Sequence, residues 1–585
     1  MKPTALLLLF FIIGLNCSSQ NFQLRLIGSS DFENKTLDSL HYNSKHKNLK
    51  SLTDEIHLTS EKLSKIGYIE NRILENSKEN DSTYTAKFSL GERTNSIHIY
   101  IGRKILSPTL SKGEGAETEI ENNNVIIKDL ISIDKTKDSI ILPYNGIESF
   151  LNQTLLKLEQ KGFALAKLKL MNIQKKNHSL YADLQFETGQ QRQLNEIVVK
   201  FAESNKKNSF PEGHLKQMNR KYRNNPFNQD VVRKIHDDFE KFRFVSQIKY
   251  PEILFTKDTT KVYVYMEKRK SNTFDGFIGF TNNENNKLVF NGYLDLTLEN
   301  ALKAGEQLSI NWKSDGNNQK NFKASIDLPY LFKSPIGLKA QIYIFKQDSI
   351  FQNTKTTIDL GYFVDYNTRI YLGYQSTESS DIQNTNSSTI SDYENSFLTS
   401  NLEYTKLDYL NLTFPKKTSL SLTLGTGKRT TNGLNETLET QKQTYINLNA
   451  THNFYLNKKN CININYQNYF LKSDSYIINE LYRFGGMNSI RGFAENSLQA
   501  NFMTAILTEY RYIVSQDLFI HSIMDYGYYE DKSTNNKGNL LGFGLGMGLK
   551  TKNGLLKLTF ANAKTTSQEI KFYNTVAAIN YNIKF

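Results

Sequence analysis

The second half of the chain is written with a period of two. Leu288, Phe290, Gly292, Leu294, Leu296 and Leu298 stand against Asn291, Asp295 and Thr297. Phe322, Ala324, Ile326 and Leu328 repeat the pattern against Asn321, Lys323, Ser325 and Asp327. Leu338, Ala340, Ile342 and Ile344 follow it, as do Leu420, Leu422 and Leu424, and Ile462, Ile464 and Tyr466. Side chains on a strand alternate between faces, so each segment carries one apolar and one polar face. No uninterrupted apolar run reaches the length a membrane-spanning helix needs. Strands of about ten residues with one apolar face are the signature of a transmembrane barrel. A soluble sandwich has the same alternation but buries its apolar faces against one another.

Strand count and connection lengths bear on that choice. Sixteen alternating segments begin near 274, 287, 306, 320, 337, 354, 368, 394, 418, 444, 460, 503, 518, 540, 554 and 573. An even count returns the chain to its starting side, so connections after even strands form one set and those after odd strands the other. Short turns follow strands six, ten and twelve at 365–367, 457–459 and 515–517. Long stretches follow strands seven, nine and eleven at 379–393, 430–443 and 472–502. This alternation of short and long matches short periplasmic turns and longer outer loops. The last segment ends Ala577, Ile579, Tyr581, Ile583, Phe585. Tyr581, Ile583 and Phe585 resemble the C-terminal aromatic signal by which outer-membrane barrels are recognised for insertion.

The N-terminal half reads differently. Lys2 precedes an apolar stretch from Ala5 to Leu15, too short to span a bilayer and typical of a signal peptide over residues 1–20. Cys17 stands where a lipidated cysteine would, though Gly14 and Asn16 fit a lipoprotein box poorly; either way the chain is exported. Residues 22–268 then show one strand–helix–helix–strand–strand pattern three times, over 22–103, 104–190 and 191–268, ahead of the barrel at 272–585. In the first, Leu52, Ile56, Thr59, Leu63 and Ile66 recur at helical spacing, and Gly67-Tyr68 ends the helix. The strands at 84–90 and 97–101 follow it. In the second, Asn145 is the expected N-cap of a helix striped by Ile147, Leu151, Leu155 and Leu158, closed by Gly162-Phe163. In the third, Val231, Ile235, Phe239 and Phe242 make the stripe, and Arg243-Phe244 replaces the glycine stop. Residues 107–124, rich in Ser, Gly, Glu and Asn, read as a hinge.

Composition excludes several functions. The net charge of +13 raises nucleic-acid binding, but the cations are scattered among 59 acids and no base-stacking module accompanies them. Of two cysteines only Cys461 remains after the leader, so no intramolecular disulfide is expected. The nine histidines show no metal-binding spacing, and there is no P-loop and no nucleophile elbow. No metal, cofactor or enzymatic activity is expected. Gly542, Gly544, Gly546 and Gly548 have the period of a strand, not of a nucleotide loop.

Between strands eleven and twelve lies Leu481-Tyr482-Arg483-Phe484-Gly485-Gly486-Met487-Asn488-Ser489-Ile490-Arg491-Gly492-Phe493. Its Gly485, Gly486, Arg491, Gly492 and Phe493 resemble the (V/I)-R-G-(F/Y) motif of BamA/TamA-type outer-membrane assembly factors, the bacterial surface antigen family. The resemblance implies α+β POTRA repeats (β-α-α-β-β) followed by an all-β sixteen-stranded transmembrane barrel. It implies that loop six folds into the barrel and that Arg491 meets acids on the inner wall, here Glu509 and Asp525. Parity agrees with inward acids if Ile506, Tyr510 and Tyr512, and Met524, Tyr526 and Tyr528, face lipid. The same rule turns Gly542, Gly544, Gly546 and Gly548 inward, leaving space for the loop.

The implied role is TamA-like: insertion or translocation at the bacterial outer membrane. Periplasmic POTRA units would receive unfolded clients, and a seam between residues 274–281 and 573–585 would open laterally. Gly276 and Gly279 weaken the first strand of that seam. Expected partners are the lipid bilayer, unfolded outer-membrane or secreted clients and periplasmic or lipoprotein accessory subunits. A two-partner-type secretion translocase and a passive channel with a periplasmic extension are the alternatives. A surface enzyme or adhesin is a third class: the long Asn/Ser-rich loops would permit adhesion, but the sequence shows no catalytic constellation.

Overall fold

A computed structural model describes residues 22–101, 139–201, 210–282, 288–314, 319–383, 389–409, 411, 413–432, 438–565 and 575–585. The leader, Cys17, the hinge at 107–124 and the boundary near 103 lie outside them. The chain divides into two compact units, one reaching Gln193 with Asn225–Gln229, the other holding Leu194–Asn224 and Asp230–Phe585.

The first unit contains two α/β sheets, each with its helices. In the first sheet Phe22–Gly28 runs parallel to Thr83–Ser89, flanked by Lys45–His46 and Arg72–Lys78. Helices α1 (Asp31–Ser39) and α2 (Leu49–Lys65) accompany this sheet. Leu37, Leu52, Ile56 and Leu63 meet Leu24, Leu26, Ala86 and Phe88 in one buried cluster. Asn48 caps α2 by accepting from Ser51 N–H, and Gly67 at φ +109° ends it, with Tyr68 N–H reaching back to Leu63 O.

Two expectations need correction. Ser96–Ile101 does not close the first sheet; it opens the second, parallel to Ser179–Glu187, with Ser139–Pro143 and Lys167–Lys176 at the edges. Its alternation announces a strand, but the partner lies about eighty residues on. Asn145 is no cap either. It sits inside a 3-10 turn, Tyr144–Gly146, that runs straight into α3 (Ile147–Gln160), whose cap position is Gly146.

The second unit joins a third α/β sheet to the barrel. Thr260–Lys268 pairs parallel with Glu196–Phe201 and antiparallel with Val245–Gln247 and Glu252–Phe255. Helices α4 (Glu212–Tyr222) and α5 (Gln229–Glu240) go with it. Among the described residues sixteen antiparallel strands close the barrel. They are Thr273–Asn282, Leu288–Glu299, Gln307–Ser314, Gln319–Leu328, Ile336–Gln347, Phe351–Phe363, Thr368–Asp381, Tyr393–Leu407, Lys416–Asn432, Leu438–Tyr455, Asn460–Lys472, Phe502–Ile513, Leu518–Asp531, Asn536–Lys550, Gly554–Thr565 and Val576–Lys584. Alternation sorts their faces as a barrel requires. Ile358, Leu360 and Tyr362, Ile370, Leu372 and Tyr374, and Phe543, Leu545, Met547 and Leu549 point outward, while Asp359, Gln375, Glu509 and Asp525 are buried inside. Strands nine and ten run further than the alternation suggests, because their outer halves are polar on both faces.

The third sheet's helices rest on the turns that follow even-numbered strands. Gln217 Nε2 donates to Lys333 O at 2.7 Å, Arg243 reaches Glu299 at 3.5 Å, and the Arg269 guanidinium lies 3.9 Å over the Tyr409 ring. At the centre of this seat His214 is wholly buried among Phe242, Phe244, Tyr330 and Tyr366. A Cβ on Gly305 would collide with its ring, and neither ring nitrogen has a hydrogen-bond partner. Burial, reinforced by the Arg369 charge, pushes His214 down to about 3. The seated form therefore holds a neutral ring, while an unseated His214 takes up a proton below about pH 6.5. Seating is favoured fully above that pH and weakens as pH falls toward 3, by roughly 2 kcal/mol at pH 5. We expect proteolysis within α4 to accelerate between pH 7.5 and 5.0, and His214→Phe to remove that acceleration.

Candidate functional site

Strand eleven ends at Lys472 and strand twelve begins at Phe502; the chain between them turns into the barrel. Tyr482–Phe484 pairs with Leu498–Ala500 as a short hairpin, and the tip hangs from it. Ile490, fully buried, packs with Phe484 and Ala500 of that hairpin and with Met503, Ala505, Leu507 and Leu540 on the inner wall. Gly527 makes room for it: a Cβ there would lie 2.4 Å from Ile490 Cδ1. The glycine pair 485–486 and Gly492 all adopt positive φ, near +97°, where a side chain is strained. Gly492 is excluded from any substitution by space as well, since a Cβ would meet Asn562 C at 2.3 Å.

That close passage delivers Arg491. Its backbone N–H and Nε both donate to Asp525 Oδ2, at 3.0 and 2.8 Å, and Nη2 reaches Asp525 Oδ1. Nη1 donates to Glu509 Oε1, and Nη2 also to Thr508 O at 3.2 Å. Arg491, Glu509 and Asp525 are all buried, Asp525 completely. Such a fork holds orientation as well as charge, which a lysine could not do. The two acids differ in their other partners. Glu509 also accepts from Arg511 Nε at 2.7 Å and Lys557 Nζ at 3.3 Å, whereas Asp525 accepts besides from Thr508 N–H at 3.3 Å. Sequence reasoning named neither Arg511 nor Lys557.

Of the four period-two glycines, Gly542 is the one whose nearest neighbour is the loop: a Cβ would fall 2.4 Å from Arg491 O. The nearest atoms at Gly546 belong to His521, at Gly548 to Phe519, and at Gly544 to Phe560 O on the next strand. The glycines therefore make space for several wall residues, not for the loop alone. Phe493 packs partly against the Ile490 cluster. Tyr581 is exposed, its hydroxyl 3.0 Å from Thr551 Oγ1 in the turn after strand fourteen, and Phe585 N–H donates to Asn272 O at 3.0 Å just past the last strand.

A second anchorage of the same loop lies upstream of the motif. Arg429, on the outer extension of strand nine, ion-pairs with Glu480 and donates to Ser475 Oγ at 3.0 Å. Gln443 Nε2 supports Glu480 at 2.8 Å. Asn479 donates to Ser379 Oγ and Ser391 O, both at 2.8 Å, and its carbonyl accepts from Asn353 at 2.6 Å. The loop is thus held on strands twelve and thirteen by Arg491, and on strands six, seven, nine and ten by the segment around Glu480.

Barrel closure is uneven. Strand one pairs with strand two along its whole length, Thr273 to Asn282. With strand sixteen, among the described residues, only Thr273 opposite Lys584 and Phe274 opposite Ile583 pair. The next donor, Tyr581 N–H, turns to the Asp275 carboxylate at 3.3 Å, which also accepts from Tyr293 Oη at 2.6 Å.

Residues 300–583, nearly all of this barrel, match the Omp85 superfamily domain. The chain carries an Omp85 barrel. Sequence comparison with curated proteins finds no match. Among solved structures, CdiB from Acinetobacter baumannii is 14% identical over 84% of this chain and 90% of its own, with a TM-score of 0.50. CdiB from Escherichia coli is 11% identical over 91% and 98%, with a TM-score of 0.48. BamA from Haemophilus ducreyi lacking POTRA domains 1–3 is 15% identical over 78% and 96%, with a TM-score of 0.45. These similarities concern the fold. An Omp85 barrel, here preceded in the chain by α/β sheets, is an outer-membrane fold.

Proposed function

We propose that this Omp85 protein inserts client β-strands into the outer membrane. Its α/β sheets lie in the periplasm and take up unfolded clients, and the clients leave through the seam between strands one and sixteen. The seam carries this reading: two backbone pairs hold it, where strands one and two are paired throughout. A short, side-chain-bridged seam offers unpaired backbone groups to an incoming strand, as any open sheet edge does. The doubly anchored loop supports a barrel that is not an open channel. Accessory subunits on the periplasmic sheets, and a TamA-like rather than a secretory role, belong to the same proposal.

A disulfide across the seam tests it. Thr273→Cys with Lys584→Cys, in a Cys461→Ser background, places two thiols on directly opposed residues. Oxidation is expected to lower client insertion into proteoliposomes by about tenfold or more, with recovery on reduction. An oxidised barrel that inserts clients at the full rate would remove lateral opening and leave passage through the lumen, the translocase reading.

A further inference from the structure

The turns after even-numbered strands carry a ring of exposed apolar side chains: Leu302, Phe332, Val364, Leu456 and Val514. Phe332 is the extreme case, 96% exposed and held at φ +53° between Tyr330 and Lys333, which also have positive φ. A bulky residue kept in strained backbone with its ring bare is costly in water. The interfacial layer of a bilayer offers such rings a favourable site, as aromatic girdles of barrels illustrate. The ring therefore marks where the lipid surface meets this end of the barrel.

A cleft of about 300 Å³ opens at that level between α4, α5 and the turns after strands four and six. Its barrel side includes Pro335, Tyr362 and Val364, beside the acid Asp365. Tyr362 continues the outward apolar row Ile358, Leu360 on strand six, so this wall is continuous with the lipid-facing surface. Its helix side presents Arg220, Lys221 and Lys241 with Asp238, facing Asp365 of the turn after strand six. Lys221 and Lys241 both bond Asp238, at 2.7 and 2.6 Å, so that one carboxylate is shared by two cations. Asp365 accepts from the Asn367 and Thr368 N–H groups of its own turn. Arg220 is exposed, and no described acid lies within ion-pairing distance of it. The cleft is thus cationic at one end and greasy at the other.

We propose that this cleft binds one anionic glycerophospholipid. Its phosphate sits against Arg220 and Lys221, and an acyl chain runs along Tyr362 and Leu360. The occupant is a lipid rather than a soluble phosphate because the apolar wall leads onto the membrane face and, among the described residues, Leu360 and Tyr362 stay exposed there. The ligand would brace the α/β domain against the barrel from the membrane side. This inference needs only the barrel's place in a membrane and stands whether clients are inserted or secreted.

The test compares the purified full chain with Arg220→Glu/Lys221→Glu by native mass spectrometry, titrating phosphatidylglycerol or phosphatidylcholine into detergent. Lys241 is left in place to keep Asp238 paired. Arg233→Glu/Lys234→Glu, which carries the same charge change outside the cleft, is the control. The wild type is expected to retain one phosphatidylglycerol preferentially, and the cleft variant to need about tenfold more lipid or beyond. The control should match the wild type, and all three should keep heat-modifiable barrel migration. Equal retention of the two lipids, or an unaffected cleft variant, would overturn the proposal. So would competition by soluble glycerophosphoglycerol as effective as the lipid itself, which would make the cleft a simple anion site.

Discussion

Arg491→Glu is expected to disable the folded-in loop, and Asp525→Arg to restore it where Glu509→Arg does not. The single change puts a third carboxylate beside two buried ones, and breaking one partner out of a buried pair costs about 3–5 kcal/mol. That is a large part of a typical domain's stability, so heat-modifiable folding and client levels should both fall sharply. The two rescues differ because the acids have different neighbours. Asp525 receives Arg491 through three donors and the Thr508 backbone N–H besides, so an exchanged pair regains its main partner. Glu509 also receives Arg511 and Lys557. An arginine at 509 would stand among those cations with one glutamate to share. Equal rescue by both exchanges would mean that only net charge matters in the lumen. No effect of Arg491→Glu would make the loop an ordinary surface segment.

The pattern of what could be read in advance follows the range of the interactions. Strand identity and facing are local properties, since period two is written into each segment, and the outward rows on strands six, seven and fourteen follow it. The two acids facing Arg491 are legible for the same reason: once Tyr510 and Tyr526 point out, Glu509 and Asp525 must point in. Lys557 is not legible this way. It sits on strand fifteen and meets Glu509 on strand twelve only through the stagger of the closed wall. The strand at Ser96–Ile101 fails similarly, because its parallel partner at Ser179–Glu187 is remote in sequence. Arg429 had a usable local signal. Leu420, Leu422 and Leu424 face outward, so 425, 427 and 429 face inward. It was obscured because residues beyond 429 are Thr and Asn, which look like a loop. They are instead strand, carried beyond the apolar band to receive the loop.

That second anchorage predicts that the loop opens in two separable parts. Arg429 and Glu480 are as buried as Arg491, with side chains at 2% and 1% exposure. Arg429→Ala strands Glu480 with Gln443 and the Ile477 N–H, and should cost about 3–5 kcal/mol locally. The reporters are at hand. Ile478 N–H donates to Thr389 O at 2.8 Å, and Arg491 N–H donates to Asp525 at 3.0 Å. In Arg429→Ala the exchange of the Ile478 amide should accelerate by roughly a hundredfold or more, since 1.4 kcal/mol is a factor of ten. The Arg491 amide should stay protected, because its own partners are untouched and share no residue with the Arg429 cluster. Distant sites without common partners add independently, so Arg429→Ala combined with Arg491→Ala should then show no coupling. If both amides accelerate together in the single variant, the loop is one rigid plug released as a unit, and Arg429 controls the lumen as much as Arg491 does. If only the upstream segment opens, the outer entrance can loosen while the motif keeps the barrel's closing strands in shape, and lateral opening need not wait for the loop to leave.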